Sequence, residues 1–225
     1  MKYDSISKAV FSNRPNRFVA NVWLDGKMTV CHVKNTGRCR ELLVPGADVI
    51  LCKSANPLRK TEYDLVSVYK GARLINMDSQ ASNVIAAEYL PRLFPDLLKI
   101  KREVSTGNSR FDFYGIKNNG PFYLEVKGVT LEHDDLAFFP DAPTERGIKH
   151  LRELTCLKAS GIDAHVLFVI QMQDIVSFCA NRDTDPLFAD ALISAKKAGV
   201  GIHAVDCIVN PCSVTAKNPV PVRFI

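Results

Sequence analysis

Residues 121–154 hold the side chains of this sequence that are most able to do chemistry together. Residues 122–127 (FYLEVK) have the composition of a β-strand, and alternate side chains of a strand point to the same face. Glu125 and Lys127 therefore share a face, which places an acid beside a base. Such a pair is either an ordinary charged surface or part of a reactive site.

A second strand-like run, residues 109–114, precedes this one, and the turn-forming residues 115–120 separate the two. If the chain reverses at the centre of that turn, Asp112 lies directly opposite Glu125. Residues opposite each other in an antiparallel pair share a face, with β-carbons roughly 5 Å apart. The predicted hairpin thus brings Asp112, Glu125 and Lys127 together.

Two carboxylates this close repel each other unless a proton or a cation lies between them. Mg²⁺ commonly takes one or two carboxylates from a protein and keeps water and substrate phosphate as its other ligands. If Asp112 and Glu125 bind Mg²⁺ or Mn²⁺, Lys127 can orient the attacking water or neutralise charge at phosphorus. Asp112, Glu125 and Lys127 in this arrangement are typical of metal-dependent phosphodiesterases. The alternative is a purely structural cluster in which Lys127 neutralises the two carboxylates.

The motifs around these residues resemble those of the sugar fermentation stimulation protein A family. The resemblance rests on residues 35–37 (NTG) with 42–46 (LLVPG), 109–113 (SRFDF), 123–131 (YLEVKGVTL) and 139–151 (FPDAPTERGIKHL). The last segment is the longest and most specific, and together the segments span most of the chain. Phe111 stands where the wider nuclease superfamily has a proline, which is not a metal ligand.

The resemblance implies an α/β (α+β overall) fold in two domains. Residues 1–80 would form an OB-like β-barrel that binds nucleic acid, and residues 81–225 a restriction-endonuclease-like (PD-(D/E)XK) mixed α/β domain. It also implies DNA binding with little sequence preference, and a regulatory link to bacterial sugar metabolism, particularly maltose. In this superfamily a helix near Glu88 can supply a further acid, so Glu88 is either an accessory metal ligand or an exposed helical glutamate.

Residues 17–77 independently predict short strands separated by turns, at 18–24, 28–33, 48–53, 63–69 and 73–77. Five strands in about 60 residues suit a small barrel, and the OB fold is a barrel of that size that holds oligonucleotides. Basic side chains and aromatic rings interleave here, as in proteins that grip single strands. Arg38 and Arg40 are the candidate DNA contacts; a charged surface over an aromatic core is the alternative.

The second half predicts a linker at residues 78–83 that ends in a helix cap, and then a helix from residue 84 that Pro91 and Pro95 end. A strand at 98–104 and a helix capped by Asp141 follow. Arg146, Lys149 and His150 lie on one face of the latter helix, at spacings of three and four residues. With the resemblance, these residues and Arg110 become candidate contacts to DNA phosphates. Without it, they are a solvated helix face.

An apolar run at residues 164–170 predicts a buried strand, and residues 183–198 and 201–209 predict a helix and a further strand. The proline-containing tail from Asn210 is expected to be irregular. Helix and buried strand together indicate a central sheet covered on both faces.

The chain carries 29 Lys and Arg against 24 Asp and Glu, a net charge of +5, which is compatible with single- or double-stranded DNA as partner. It has no apolar stretch long enough to span a membrane. Its seven cysteines form no C-x-x-C pair, which predicts reduced thiols in the cytoplasm rather than disulfides or zinc. A non-catalytic DNA-binding regulator with a vestigial site, or a metal-dependent enzyme acting on a sugar phosphate, remains open.

Overall fold

The computed structural model describes residues 1–35, 37–107 and 109–224, and the first part of the chain is a closed five-stranded β-barrel. The barrel closes in the order β1, β2, β3, β5, β4, with β3 and β5 parallel, and β6 extends it beside β5. The OB-like barrel is thereby confirmed. The strands are β1 (Ile6–Asn16), β2 (Val19–Leu24), β3 (Lys27–Val33), β4 (Asp48–Lys53), β5 (Tyr63–Lys70) and β6 (Arg73–Asn76).

Strand β1 was not predicted from the sequence. Its pairing with β2 shifts register twice between Phe11 and Asn16, so the alternation of inward and outward residues is broken. Pro15 also lies inside the strand, where a missing N–H normally argues against pairing. The other predicted barrel strands agree with the structure to within two residues at each end.

The remaining chain is a mixed α/β domain, as predicted. Its main sheet has the order β15, β14, β12, β9, β8, β7, in which β12 runs parallel to both β9 and β14. Its helices are α1 (Ala81–Leu93), α2 (Glu145–Ala159) and α3 (Pro186–Lys197). The main-sheet strands are β7 (Leu97–Thr106), β8 (Ser109–Lys117), β9 (Gly120–Val129), β12 (Asp163–Ile170), β14 (Gly201–Asn210) and β15 (Ser213–Pro219).

A smaller sheet of order β10, β11, β13, β16 lies beside it. Its strands are β10 (Leu131–His133), β11 (Leu136–Phe139), β13 (Ser177–Ala180) and β16 (Val222–Arg223). These strands have only two to four residues each, too few for an alternating pattern to stand out in the sequence.

Three predicted boundaries are wrong. Helix α1 begins at Ala81, three residues before the predicted start, and it ends at Leu93, between the two prolines predicted to end it. The N-cap of α2 is Thr144, which accepts a hydrogen bond from Gly147 N–H at 3.0 Å, and not Asp141. The tail expected to be irregular contains β15, which pairs with β14.

The two halves share their hydrophobic cores. One cluster of buried side chains continues from Phe11 and Leu65 in the barrel to Leu151 in α2 and Phe168 in β12. A second joins barrel residues to α1 and to the opposite face of the main sheet. Lys2 also pairs with Ser213, so the first residues, assigned above to the barrel, contact the second half.

No helix in the described parts of the chain is long and apolar enough to cross a membrane.

Candidate active site

The β8–β9 hairpin positions the two predicted carboxylates. Its ladder pairing ends where Phe113 lies opposite Leu124, in the register predicted from the turn. One residue further along β8, Asp112 Oδ2 accepts a hydrogen bond from Val126 N–H at 2.8 Å. The Asp112 side chain thus accepts the hydrogen bond that a backbone carbonyl of β8 would otherwise take. This bond holds the Asp112 carboxylate beside the β9 residues that include Glu125.

Helix α1 fixes the other oxygen of the same carboxylate. Asn83 Nδ2 donates to Asp112 Oδ1 at 2.8 Å. Burial, and then the neighbouring Glu125 carboxylate, raise the pKa of Asp112 above its ordinary value. Each carboxylate oxygen has two lone-pair sites, so both oxygens of Asp112 can still accept a further ligand.

Glu125 is buried and meets two cationic or donor groups. Its Oε1 accepts hydrogen bonds from Lys127 Nζ, at 2.6 Å, and from His150 Nδ1 on α2. Burial acts to raise the pKa of Glu125, but His150 and Lys127 outweigh it, so the pKa lies below its ordinary value. The carboxylate is therefore held in its ionised form.

The second oxygen of Glu125 is the unusual atom of the site. Glu125 Oε2 is buried and has no hydrogen-bond partner among the described residues. A buried polar atom left unpaired costs roughly 1–3 kcal/mol, and more when the group is charged. A cation at this oxygen would remove that cost, and a pair of carboxylates with free lone pairs fits the ligand preference of Mg²⁺ or Mn²⁺.

Two predicted site residues lie elsewhere or differ in role. Glu88 Oε2 accepts from the N-terminal ammonium of Met1 at 2.9 Å, so the structure does not bring this helical acid to the pair of Asp112 and Glu125. His150, predicted to contact DNA, is only 4% exposed and faces Glu125. The periodicity placed His150 on the right helix but could not tell its buried side from its exposed one.

No cluster of three or more His, Cys, Asp or Glu side chains with the arrangement of a metal site occurs within the described residues.

The predicted cations around the hairpin do lie together. Arg110, Arg146 and Lys149 line one cavity of about 510 Å³, together with Ser109, Glu145 and His150. Arg110 lies 3.6 Å from Glu103, and Lys149 Nζ lies 3.8 Å from Glu153. These contacts are at the surface, where ion pairs are weak and phosphate can compete for the cations.

A larger cleft of about 990 Å³ lies between the barrel and the second half, and Arg38 and Arg40 line it. Thr36, part of the predicted turn before them, falls outside the described residues. Across the cleft lie Gly128, which directly follows Lys127, and Thr144, which caps α2. The backbone N–H of Arg38 donates to Asp141 Oδ2 at 2.9 Å and ties the two walls together.

Asn83 is a functional neighbour that sequence reasoning missed. A polar residue just before a predicted helix usually has a local capping role, and the sequence pattern places Asn83 at the end of the predicted linker. Only the packing of α1 against the β8–β9 hairpin shows that it holds Asp112.

An OB-type barrel followed by a restriction-endonuclease-like α/β domain defines the architectural class of this protein. The chain belongs to the sugar fermentation stimulation protein family. The family model for the "SfsA N-terminal OB domain" matches residues 13–77, and that for the "Sugar fermentation stimulation protein RE domain" matches residues 79–213.

Relatives and a solved structure cover the whole chain. A sugar fermentation stimulation protein homolog from Desulfitobacterium hafniense (strain Y51) is 53% identical over 100% of this chain and 99% of its own length. A homolog from Clostridium beijerinckii is 52% identical over 99% of both chains. The structure of Pyrococcus furiosus SfsA in complex with Ca²⁺ has a TM-score of 0.89 at 28% identity, covering 99% of this chain and 98% of that one.

Proposed function

We propose that this protein binds DNA with little sequence preference and hydrolyses its phosphodiester bonds with Mg²⁺ or Mn²⁺. The observation that carries the proposal is the unpaired, buried Glu125 Oε2 beside the carboxylate of Asp112. The Ca²⁺ complex of the similar Pyrococcus furiosus protein supports a divalent cation as ligand in this family.

Asp112 and Glu125 would hold the metal, which supplies a nucleophilic water and stabilises negative charge on the phosphate. The residues of the chain prepare this site. Asn83 and Val126 N–H orient Asp112, and His150 holds Glu125 from the side of α2. Lys127 Nζ is held beside Glu125, where its ammonium can orient the attacking water or neutralise charge developing at phosphorus.

The DNA contacts follow from the placement of the cations. Arg110, Arg146 and Lys149 surround the cavity next to His150 and are assigned to phosphates near the scissile bond. Arg38 and Arg40 line the interdomain cleft, where they would contact the strand. The positive charge is concentrated in the barrel: residues 1–77 hold 13 Lys and Arg against 6 Asp and Glu, residues 78–225 hold 16 against 18.

The names of the relatives favour a link to sugar metabolism, so a DNA-binding regulator without catalysis is the second candidate function. The complete set of Asp112, Glu125 and Lys127 argues for cleavage over a vestigial site. All seven cysteines are free thiols, in keeping with action in the reducing cytoplasm.

The test is cleavage of labelled single- and double-stranded DNA by the purified protein with Mg²⁺ or Mn²⁺. Lys127→Ala and Asp112→Asn should each lose cleavage while DNA binding persists. Lys197→Ala, at the exposed end of α3, removes the same charge away from the site and should cleave normally.

Intact binding without cleavage in the wild-type protein, with either metal, would rule out the nuclease and leave a DNA-binding regulator. Binding of a sugar phosphate in place of DNA would contradict both. The salt dependence separates these cases, because only a polyanion releases many counterions and loses affinity steeply with added salt.

A further inference from the structure

The outer face of the barrel carries an apolar row across three strands. Trp23 on β2 lies opposite Val10 on β1 and opposite Met28 on β3. Directly paired residues have β-carbons about 4.5–5.5 Å apart, so the three side chains are contiguous. Trp23 is 48% exposed, Met28 47% and Val10 38%, and Val30, two residues beyond Met28, is 49% exposed.

These side chains are not part of the core. The residues that alternate with them, Ala20, Val22 and Cys31, are fully buried, so the row lies on the outward side of the barrel. A single exposed apolar side chain is ordinary, but a contiguous group marks an interaction surface. A half-exposed tryptophan in its centre is the kind of residue that anchors a partner.

The net charge of the barrel region favours a polyanion as the partner. The barrel region, residues 1–77, has a net charge of +7, whereas residues 78–225 have −2. Lys8 shares the outward face of β1 with Val10, and Arg17 lies at the turn between β1 and β2 beside Phe18, itself 50% exposed. Asp48, opposite Val10 on β4, repels phosphate and bounds the surface on that side.

We propose that this outer face, centred on Trp23, binds single-stranded nucleic acid by stacking bases on the indole ring. Exposed aromatic rings beside cations bind single strands without reading sequence, and strands 2 and 3 are the ligand face of OB folds. A duplex keeps its bases stacked on each other and cannot offer them to Trp23. The inference builds on the proposed DNA binding but needs neither the metal nor cleavage.

The chain contains one tryptophan, so its intrinsic fluorescence reports on this surface directly. The full-length Asp112→Asn protein, which is expected to bind DNA without cleaving it, is titrated at low salt with a short thymidine oligonucleotide and with a duplex of equal length. We expect saturable quenching by the single strand only. Its midpoint should match the affinity measured independently by the anisotropy of a labelled oligonucleotide.

Trp23→Ala in the same background should weaken single-strand binding by about 5- to 150-fold, the usual value of one base stacked on an aromatic ring. Trp23→Phe should restore part of the affinity. Leu187→Ala, on α3 and 64% exposed, removes an exposed apolar side chain far from the barrel and should leave binding unchanged. Circular dichroism checks that each variant is folded.

Three outcomes would overturn the inference, and they are distinguishable. If the single strand binds without changing the fluorescence of Trp23, and Trp23→Ala binds it with the same affinity, the stacking site is ruled out but DNA binding is not. No binding of any DNA would remove both proposals. The fluorescence of Trp23 could instead change with protein concentration alone, and light scattering could show a dimer that Trp23→Ala dissociates. That result would assign this face to a second copy of the chain.

Discussion

Two groups of carboxylate, lysine and histidine form around strands of the same β-sheet, a buried one around Glu125 and a partly exposed one around Asp163. The strands that carry them, β9 and β12, are paired in parallel, and Asp163 lies opposite Phe122, three residues before Glu125. Glu125 meets Lys127 and His150, whereas Asp163 meets Lys117, Lys158 and His165.

The two groups differ in what they leave unpaired. Asp163 Oδ1 accepts from Lys158 Nζ at 2.6 Å, and its Oδ2 accepts from Lys117 Nζ at 2.6 Å and from His165 Nε2 at 2.9 Å. Both oxygens are satisfied, and burial, which acts to raise the pKa of Asp163, is outweighed by these partners, so the pKa falls far below its ordinary value. Glu125 keeps one oxygen without a partner in the described structure. The residue types are similar in the two groups, and the unpaired oxygen is what makes the Glu125 group the candidate for metal binding.

The largest effect expected from this contrast is on catalysis. Glu125→Gln keeps the shape of the side chain but removes the charge that would hold the metal, so cleavage should fall at least about 100-fold. The rate of DNA cleavage under single-turnover conditions measures it. Cleavage within tenfold of wild type would show that Glu125 is no more functional than Asp163.

Asp163→Ala should produce the opposite pattern. Lys117 would remain buried without its anion, against the rings of Phe94 and Phe122, and the free energy of unfolding should drop by about 3 kcal/mol. Urea denaturation measures the loss. Asp183→Ala, at an exposed position, is the matched control and should change stability by less than about 0.5 kcal/mol.

Cleavage per folded molecule of Asp163→Ala should equal that of the wild type. A selective loss of cleavage in a fully folded Asp163→Ala protein would erase the distinction between the two groups.

A pH titration sharpens the description of the Asp163 group. Burial, and then the nearby cations His165, Lys196 and Lys117, lower the pKa of His203 to about 4, against about 6.5 when unfolded. The unfolded chain therefore takes up a proton between pH 6.5 and 4 that the folded chain does not. The contribution of His203 to the free energy of unfolding should be fully present above pH 6.5. It should be lost as the pH falls towards 4, by at most about 3 kcal/mol.

Urea denaturation at several pH values measures this slope, and His203→Asn should flatten it. His165, whose pKa burial also lowers despite the adjacent Asp163, contributes in the same direction. Stability that is constant or rises as the pH falls from 6.5 to 4 would contradict this account.

The smallest effect concerns the cations at the rim of the Glu125 group. Arg146→Ala should weaken duplex binding several-fold and lower the slope of log affinity against log salt by about 0.9, because one phosphate contact is lost. Binding measured at three salt concentrations checks this. Arg182→Ala, whose side chain pairs with Asp190, is the control and should leave the slope unchanged.

Much of this architecture could be predicted from the sequence. Alternation along residues 109–127 and the turn between the two strands indicated the register that places Asp112 near Glu125. The barrel strands were visible because short apolar runs alternate with turn residues. Local pattern is sufficient when an element's hydrogen bonds and its buried face follow the chain.

The rest depends on contacts between distant segments. Neither Asn83 nor the buried state of His150 follows from local periodicity, because both result from helices packing on the hairpin. The pairing of Asp163 with Lys117 joins residues 46 positions apart, and no local pattern records it. Likewise, β1 is held in the barrel by strands on both sides despite Pro15 and its broken alternation.

The shared cores have a consequence for how this protein is inherited. Buried apolar residues of the barrel and of the α/β domain belong to the same two clusters, so neither half has a finished surface where they meet. A gene fragment encoding one half would yield a domain with part of its interior open to water. Exchange of one half for an unrelated domain would therefore expose buried apolar residues, and relatives are expected to match over both halves, as the Desulfitobacterium and Clostridium homologs do.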